Sequence, residues 1–354
     1  MLKKLKDECY IVMGQSPSSV NYNQDKTGTP FMQGRKTFGD KYPTIDTWTT
    51  KLTKIAPKGS ILMSVRAPVG DVNVAPCDLC IGRGLASIKM KNGNNQYLYY
   101  LLKYNSNLLK NKSTGTIFES INKDDLENLV LNFSDENDQI KISEILCDID
   151  KKIELNNEIN NNLHELEKNL YKEYFKDLSD DNTKKLGELC NIKYGKGLPT
   201  TKIEKEGYPV YGGNGIIGYY HEFMYDDSQV LISCRGAASG NVIISKPKSF
   251  ITNNSLILEC DRKYHYYLKQ YSLDNYYYEY ATGSAQPQIT IDNIKGIMLS
   301  IPSDELLESF NKQMEKLELK YFSNLEEISK LEQLRDTILP ELMNGEIDLD
   351  NIEI

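Results

Sequence analysis

The sequence predicts an α+β chain with an internal repeat: two similar strand-rich α/β domains separated by two long antiparallel coiled-coil helices, the halves related by a pseudo-twofold axis. Three observations predict it. Short motifs recur in the same order in both halves of the 354 residues. Segments rich in Gly, Pro, Asn and Thr alternate with nearly Gly-free segments whose apolar residues fall at heptad spacing. Acidic residues are concentrated in those heptad segments.

Residues 1–133 form the first predicted domain. ILMSV is a continuous apolar run of strand length, and YLYYLLKYNSNLLK has the pattern of a short helix. This segment carries 18 Lys/Arg against 11 Asp/Glu, a net of +7. Residues 134–178 form the first spacer helix. Ile142, Ile149, Asn156, Leu163 and Leu170 share one heptad position, with Ile145, Ile159 and Leu166 on the second. Its net charge is −6.

Residues 179–302 form the second domain, which echoes the first. LKDECYIVMGQSP resembles LGELCNIKYGKGLP, with Cys9 and Cys190, and Gly14 and Gly195, 181 residues apart. GSILMSVRAPVGDVNV resembles SQVLISCRGAASGNVII, with Arg66 and Arg235 169 apart. Thr114-Gly115 and Thr282-Gly283 are 168 apart. The offset drifts only downward, as small deletions would produce. VLISC and NVIIS read as strands.

Residues 303–354 form the second spacer helix and a tail, with a net charge of −9. Phe310, Leu317, Asn324, Leu331 and Ile338 repeat the first helix's frame, Ile328 covers a poorer second seam, and Asn324 repeats the step of Asn156. Two imperfect heptad helices sharing a polar step are expected to pair with each other. Each runs away from its own domain, so side-by-side pairing requires antiparallel helices. Pro340 is expected to end the second helix and turn the chain back.

Composition narrows the function classes. The overall charge of −8 misleads, because acid lies mainly in the helices while the domains are basic or neutral. No apolar run reaches the roughly 18 residues of a membrane span, and the basic start MLKKLKDECYIVMG has too short an apolar stretch for a secretion signal. Seven scattered cysteines do not suggest a disulfide scaffold. The expected location is cytoplasmic.

Catalytic signatures are sparse. Gly213-Asn214-Gly215-Ile216-Ile217-Gly218 fits G-x-G-x-x-G, but YYHEF follows where a helix is required. It reads as a Gly-rich turn allowing close approach of backbone to a partner. No Walker loop and no N-P-P-Y or D-P-P-Y occurs. Cys77-Asp78-Leu79-Cys80 lacks the second pair that zinc requires, and the thiols are expected to be buried or half-buried. His164, His221 and His265 lie in different elements, with His164 placed on a helix flank. The 24 tyrosines offer stacking faces, but they suit half-buried helix positions as well.

The repeated loops carry the binding chemistry. In each half an apolar run leads into Arg66-Ala67-Pro68 or Arg235-Gly236-Ala237, and a Thr-Gly precedes a polar stretch. Arg can grip guanine or phosphate, and Gln can grip adenine. The same arginines could instead form buried carboxylate pairs in structural turns. Lys36 and Arg83 are phosphate candidates.

These residues resemble the DNA-specificity subunit of type I restriction-modification enzymes over essentially the whole chain. The resemblance is carried by LRDTILPELMNGEIDL, VLISCRGAASGNV, Val210-Tyr211-Gly212-Gly213-Asn214-Gly215 and TGSAQPQIT, with LEKNLYKEYF as the first-half counterpart of the C-terminal signature. The first half departs in its loops, with VRAPVG and TGTIFES. The resemblance implies a non-catalytic subunit. Its two target-recognition domains would each read half of a split double-stranded DNA target. The helices would serve as spacer and dock two methyltransferase subunits, adenine-N6 specific, and restriction subunits would join that complex. No cofactor would be bound by this chain; S-adenosylmethionine, ATP and Mg would belong to the partners. The expected DNA-binding residues are Gln15, Ser16, Lys36, Arg66, Arg83, Thr114 and Thr116 in the first half. In the second they are Lys196, Asn214, Arg235, Asn253, Thr282, Ser284, Gln286 and Gln288. Leu339, Pro340, Leu342, Gly345 and Ile347 are the expected docking residues. No membrane partner and no metal site is expected. The alternative is a stand-alone modular binder, for example of glycans, on a coiled-coil rod.

Overall fold

The computed structural model describes residues 1–111, 120–179, 181–283 and 287–349, with backbone alone for 107–111. Thr114, Thr116, Ser284 and Gln286 lie outside the described residues. The chain divides into two compact units, Met1–Asn156 with Glu326–Ile354, and Asn157–Leu325.

The first half runs β1 (Leu2–Lys4), α1 (Leu5–Glu8), β2 (Cys9–Met13), β3 (Tyr22–Asn23), β4 (Thr29–Met32), β5 (Trp48–Thr49), β6 (Ile55–Ala56), β7 (Ile61–Ser64), β8 (Val72–Val74), β9 (Leu79–Ile81), β10 (Leu85–Met90), α2 (Asn95–Asn111), α3 (Lys123–Glu127), β11 (Val130–Asn132) and α4 (Glu136–Phe175). The second half runs β12 (Thr183–Lys185), α5 (Leu186–Leu189), β13 (Cys190–Tyr194), β14 (Tyr208–Gly212), β15 (Gly215–Tyr220), β16 (Val230–Ser233), β17 (Val242–Ile244), β18 (Phe250–Ile251), β19 (Ser255–Cys260), α6 (Arg262–Asp274), α7 (Ile291–Ile294), β20 (Met298–Ser300) and α8 (Asp304–Asn344).

Each unit is organised on an antiparallel four-stranded sheet, of order β2-β10-β7-β8 in the first and β13-β19-β16-β17 in the second. The apolar runs foreseen as strands are β7, β16 and β17, and every residue of β7 and β16 is buried. A second sheet lies beyond each, in which β4 pairs parallel to β9 and β14 pairs parallel to β18. A short pair closes each globular part, β1 with β11 and β12 with β20. α2 covers the first sheet with Tyr97 to Leu102, all buried. α6 does the same in the second with Tyr264, Tyr266, Tyr267 and Leu268. The tyrosine-rich helices are therefore core elements.

The repeat is visible bond by bond. Gly14 N–H donates to Leu85 O and Gly195 N–H to Ser255 O. Gln15 donates to Ile81 O as Lys196 does to Ile251 O. Gly82 donates to Met32 O as Thr252 does to Tyr211 O. Val65 donates to Gly84 O as Cys234 does to Asn254 O, and Ile121 to Val65 O as Ile289 to Cys234 O. The same offsets that align the motifs align these bonds, so the halves share a backbone as well as a pattern.

α4 and α8 pair, and within each unit they run antiparallel. In the first unit Arg335 reaches Asp150 at 3.1 Å and Glu327 accepts from Asn156 at 2.9 Å. In the second Asn324 donates to Asn160 at 2.9 Å and Tyr321 lies against His164, whose flank position matches expectation. Ile142, Asn156, Phe310 and Asn324 are buried on the predicted seam. The second seam differs: Leu166 is exposed. Buried Asp150, Asn160 and Glu167 occupy the inward face of α4. The seam thus mixes apolar and polar groups: partners on α2, α6 and α8 meet the Asp150 and Glu167 carboxylates, whereas Asn160 Nδ2 and Asn324 Oδ1 are buried without a hydrogen-bond partner among the described residues.

Asp150 accepts from Tyr100 Oη at 2.5 Å and lies 3.3 Å from Lys41 Nζ. Burial raises its pKa, but the Tyr100 hydrogen bond and the Lys41 and Arg335 charges outweigh that and hold the carboxyl below its usual range. In the second unit buried Lys269 lies 3.2 Å from Glu167 and 3.5 Å from Glu318, and Gln270 donates to Glu167 at 3.1 Å. Glu167 is likewise held low against its own burial, by hydrogen bonds from His164 and Lys269 and by the Lys269 charge.

Pro340 does not end α8, contrary to expectation. The helix continues to Asn344 and stops at Gly345, whose φ of 74° is the left-handed conformation of a helix stop. Gly345 N–H donates to Leu342 O and Glu346 N–H to Glu341 O, the paired bonds of a Schellman motif. An interior proline costs about 3 kcal/mol, whereas burying Leu342 and Met343 beyond it returns about 1.5–3 kcal/mol each. Burial wins, and the helix carries on.

Candidate nucleic-acid interface

The shared backbone places the predicted binding residues at the ends of the sheet strands. In the second unit β13 ends into Gly195-Lys196. Lys196 is exposed, forms a parallel bridge with Thr252, and its carbonyl accepts from Asn253 N–H at 3.2 Å. Asn253 is exposed beside it. β16 ends into Cys234-Arg235, and Cys234 N–H is held by Asn254 O. Arg235 is exposed and bridges Gln288, which also bridges Thr282. Gly236 N–H donates to Pro287 O. Lys196, Asn253, Arg235, Thr282 and Gln288 are thus linked through one continuous set of backbone bonds.

The glycine motif supplies the neighbouring wall. Gly212 ends β14 and Gly215 begins β15, so Gly213-Asn214 is a hairpin turn and not a strand-to-helix nucleotide loop. Asn214 is exposed at its tip. A Cβ on Gly213 would stand 2.9 Å from Ser233 Oγ and 3.5 Å from Asn254 O, so glycine is what lets the turn lie against these strand ends. Ser233 Oγ is buried without a hydrogen-bond partner among the described residues.

The first unit repeats this with different side chains. Gln15, exposed, stands where Lys196 stands. Arg83, exposed, occupies the place of Asn253, and its N–H donates to Ser16 Oγ at 3.1 Å. Arg66 bridges Ser120 as Arg235 bridges Gln288. The close approach at Gly14 and Gly195 is built the same way: a Cβ would meet Gly82 O at 2.1 Å and Thr252 O at 2.3 Å. Lys36 is exposed in the short turn after β4, away from these bonds and beside Arg35, which pairs with Asp71.

Arg66 and Arg235 are exposed and have no ion-pair partner among the described residues, which removes the buried-turn reading for both. Sequence reasoning missed Gln33. It is exposed, its carbonyl accepts from Gly84 N–H at 3.1 Å, and its side chain lies over Gly82. The repeat could have found it, since Gln33-Gly34 follows β4 as Gly212-Gly213 closes β14.

The other candidate chemistry is structural. Cys80 is buried and Cys77 half-buried, and neither is in a disulfide. Burial raises the Cys234 thiol, with Arg235 opposing, so it is no ready nucleophile. Among the described residues no group of three or more His, Cys, Asp or Glu could hold a metal ion. No described helix is long and apolar enough to cross a membrane.

Of the expected docking residues, Leu339 and Leu342 are buried in the first unit's core and Ile347 packs against it. Pro340 is half-buried. Gly345 forms the helix stop.

The sequence model of the family described as "Type I restriction modification DNA specificity domain" matches residues 1–165 and 179–338. A putative type I restriction enzyme MjaX specificity subunit from Methanocaldococcus jannaschii is 43% identical over 147 residues, 41% of this chain and 35% of that protein. The chain thus spans about a third of that relative's length. The MjaIX specificity subunit of the same organism is 24% identical, with 99% of this chain and 94% of that one aligned. The EcoprrI specificity subunit of Escherichia coli is 25% identical over 75% of this chain and 73% of its own. The crystal structure of the S subunit of a type I restriction-modification system from M. genitalium has the same fold, with a TM-score of 0.65, 20% identity and coverage of 97% and 95%.

Proposed function

The chain belongs to the type I restriction-modification DNA-specificity family, and from that membership we propose that it is the subunit that reads a bipartite double-stranded DNA target. Each of its two domains contacts one half of the target through the strand-end loops. The observation that carries this reading is the repeated juxtaposition itself: exposed Gln15, Arg66 and Arg83 in one domain and Lys196, Arg235 and Asn253 in the other, on one shared backbone. Unpaired exposed cations suit phosphates, and amide and guanidinium groups suit base edges in the major groove. Asn214, Thr282 and Gln288 extend this surface in the second domain. Ser16 supports Arg83 in the first, and Lys36 adds a phosphate contact at its border.

The chain supplies recognition and no chemistry. Methyl transfer to adenine N6 from S-adenosylmethionine belongs to two methyltransferase subunits, and ATP- and Mg-dependent cleavage to restriction subunits, all in the cytoplasm. The acidic helices suit protein docking because they repel the DNA backbone. The C-terminal segment acts in assembly by holding the helix ends in shape.

The test is to map methylated adenines in cells carrying the methyltransferase subunits, with and without this chain. A split motif that appears only with the chain supports the reading. Purified chain and methyltransferase should bind a duplex carrying that motif, more weakly as salt rises. Motif methylation that persists without the chain would overturn it.

A further inference from the structure

The two domains hold equivalent positions in equivalent backbone, so the side chains at each position can be compared directly. Four positions differ: Gln15 against Lys196, Arg83 against Asn253, Gln33 against Gly212, and Ser120 against Gln288. One position is the same, Arg66 against Arg235, each bridged to the returning loop at Ser120 or Gln288. Resting on the DNA-reading function proposed above, we infer that this surface is divided by task. The shared arginine grips a backbone phosphate in both half-sites, and the differing positions set which bases each half-site contains.

The physical reason is what each kind of contact can see. A phosphate is the same at every step of a duplex, so a residue that grips it serves two different half-sites equally well. A base edge differs between half-sites, so a residue that reads it must change when the target changes. Arg66 and Arg235 meet the first condition: they are exposed and without an ion-pair partner among the described residues. The differing pairs meet the second, because Gln and Asn match adenine while Arg and Lys match guanine. Glycine stands where Gln33 would otherwise reach, and there the Asn214 hairpin tip takes over the approach. The same scaffold thereby presents a different pattern of donors and acceptors.

The experiment uses the full chain with its methyltransferase subunits and the duplex motif that the wild-type complex methylates in cells. Arg66→Gln and Arg235→Gln should each weaken binding roughly ten-fold, reduce the steepness of the salt dependence by about one, and leave both half-sites unchanged. Arg66→Lys should restore most of the affinity and leave the first half-site unchanged, since a phosphate accepts either cation. Gln15→Lys with Arg83→Asn should change bases in the first half-site only. Fluorescence of the single tryptophan, Trp48 in the first domain, reports that those variants are folded. A base change produced by Arg66→Gln or Arg66→Lys would overturn the division, as would an unaltered motif in folded Gln15→Lys/Arg83→Asn. A wild-type chain that directs no split motif would instead overturn the DNA-reading function, and this inference with it.

Discussion

Replacing Asp150 tests whether the polar seam of the helix pair is a structural requirement. Its carboxylate is buried on α4 and meets Tyr100 at 2.5 Å, Arg335 at 3.1 Å and Lys41 at 3.3 Å. Asp150→Ala leaves the buried Tyr100 hydroxyl with only Cys147 Sγ at 3.8 Å, Lys41 with only Glu154 at 3.5 Å and Arg335 with only Asp336 at 3.0 Å. Breaking a buried pair from one side costs about 3–5 kcal/mol. Lys41 and Arg335 keep some contact with water, with side chains 17% and 15% exposed, so the lower end, about 3 kcal/mol, applies. Asp150→Asn keeps an acceptor for Tyr100 and removes only the charge, so about half that loss is expected. With a urea slope of about 2 kcal/mol per molar, the midpoint falls by ~1.5 M for Ala and ~0.7 M for Asn. Trp48 lies in the same unit as Asp150, so its fluorescence in urea follows the relevant transition.

The pH dependence has a definite sign. The folded Asp150 carboxyl titrates below its ordinary value of 3.8, so its stabilisation is full above that value and is lost as pH falls through the folded one. The gap between wild type and Asp150→Asn should therefore be constant from pH 7 to about 5 and close below about pH 4. Equal midpoints for wild type and Asp150→Ala at pH 7, or a gap that widens in acid, would refute the argument.

Further outcomes follow from the same geometry. Glu167→Ala leaves buried Lys269 with only Glu318, 3.5 Å away, and should lower the thermal midpoint by about 6–10 °C, measured by circular dichroism of the whole chain. Gly14→Ala puts a Cβ 2.1 Å from Gly82 O, backbone against backbone, and should destabilise the first unit by about 1–3 kcal/mol. Gly34→Ala, with nothing within 4 Å, should change stability by less than about 0.5 kcal/mol, and equal effects of the two substitutions would dismiss the close-approach argument. Leu342→Ala should cost about 2–4 kcal/mol in Trp48-monitored urea unfolding. An unchanged midpoint there would mean that the segment beyond Pro340 is not part of the core.

Much of this molecule was legible in its sequence because a duplicated pattern is its own control. The drift from 181 to 168 residues between paired motifs foretold the paired backbone bonds, and the heptad frame placed Phe310, Ile142 and both Asn156 and Asn324 on the buried seam. The exposed strand-end residues Arg66, Arg235, Lys196 and Gln15 were found for the same reason: a position that recurs beside a strand end stands out when two copies are aligned. What sequence could not decide was where the backbone comes close. Aligning the two halves would have set Gln33 opposite Gly212, but that Gly82 and Gly84 let β4 run beside the Arg83 loop, about fifty residues away, is a property of the folded backbone. Nor could periodicity foresee that Leu166 would face outward while Glu167 turned in. A carboxylate is tolerated inside only if cations and donors meet it, and Lys269 and Gln270 come from an element about a hundred residues further on. Pro340 shows the same limit. Local propensity ends the helix there, but burial of the residues beyond it is worth more than the lost turn, and burial is a property of the folded chain alone.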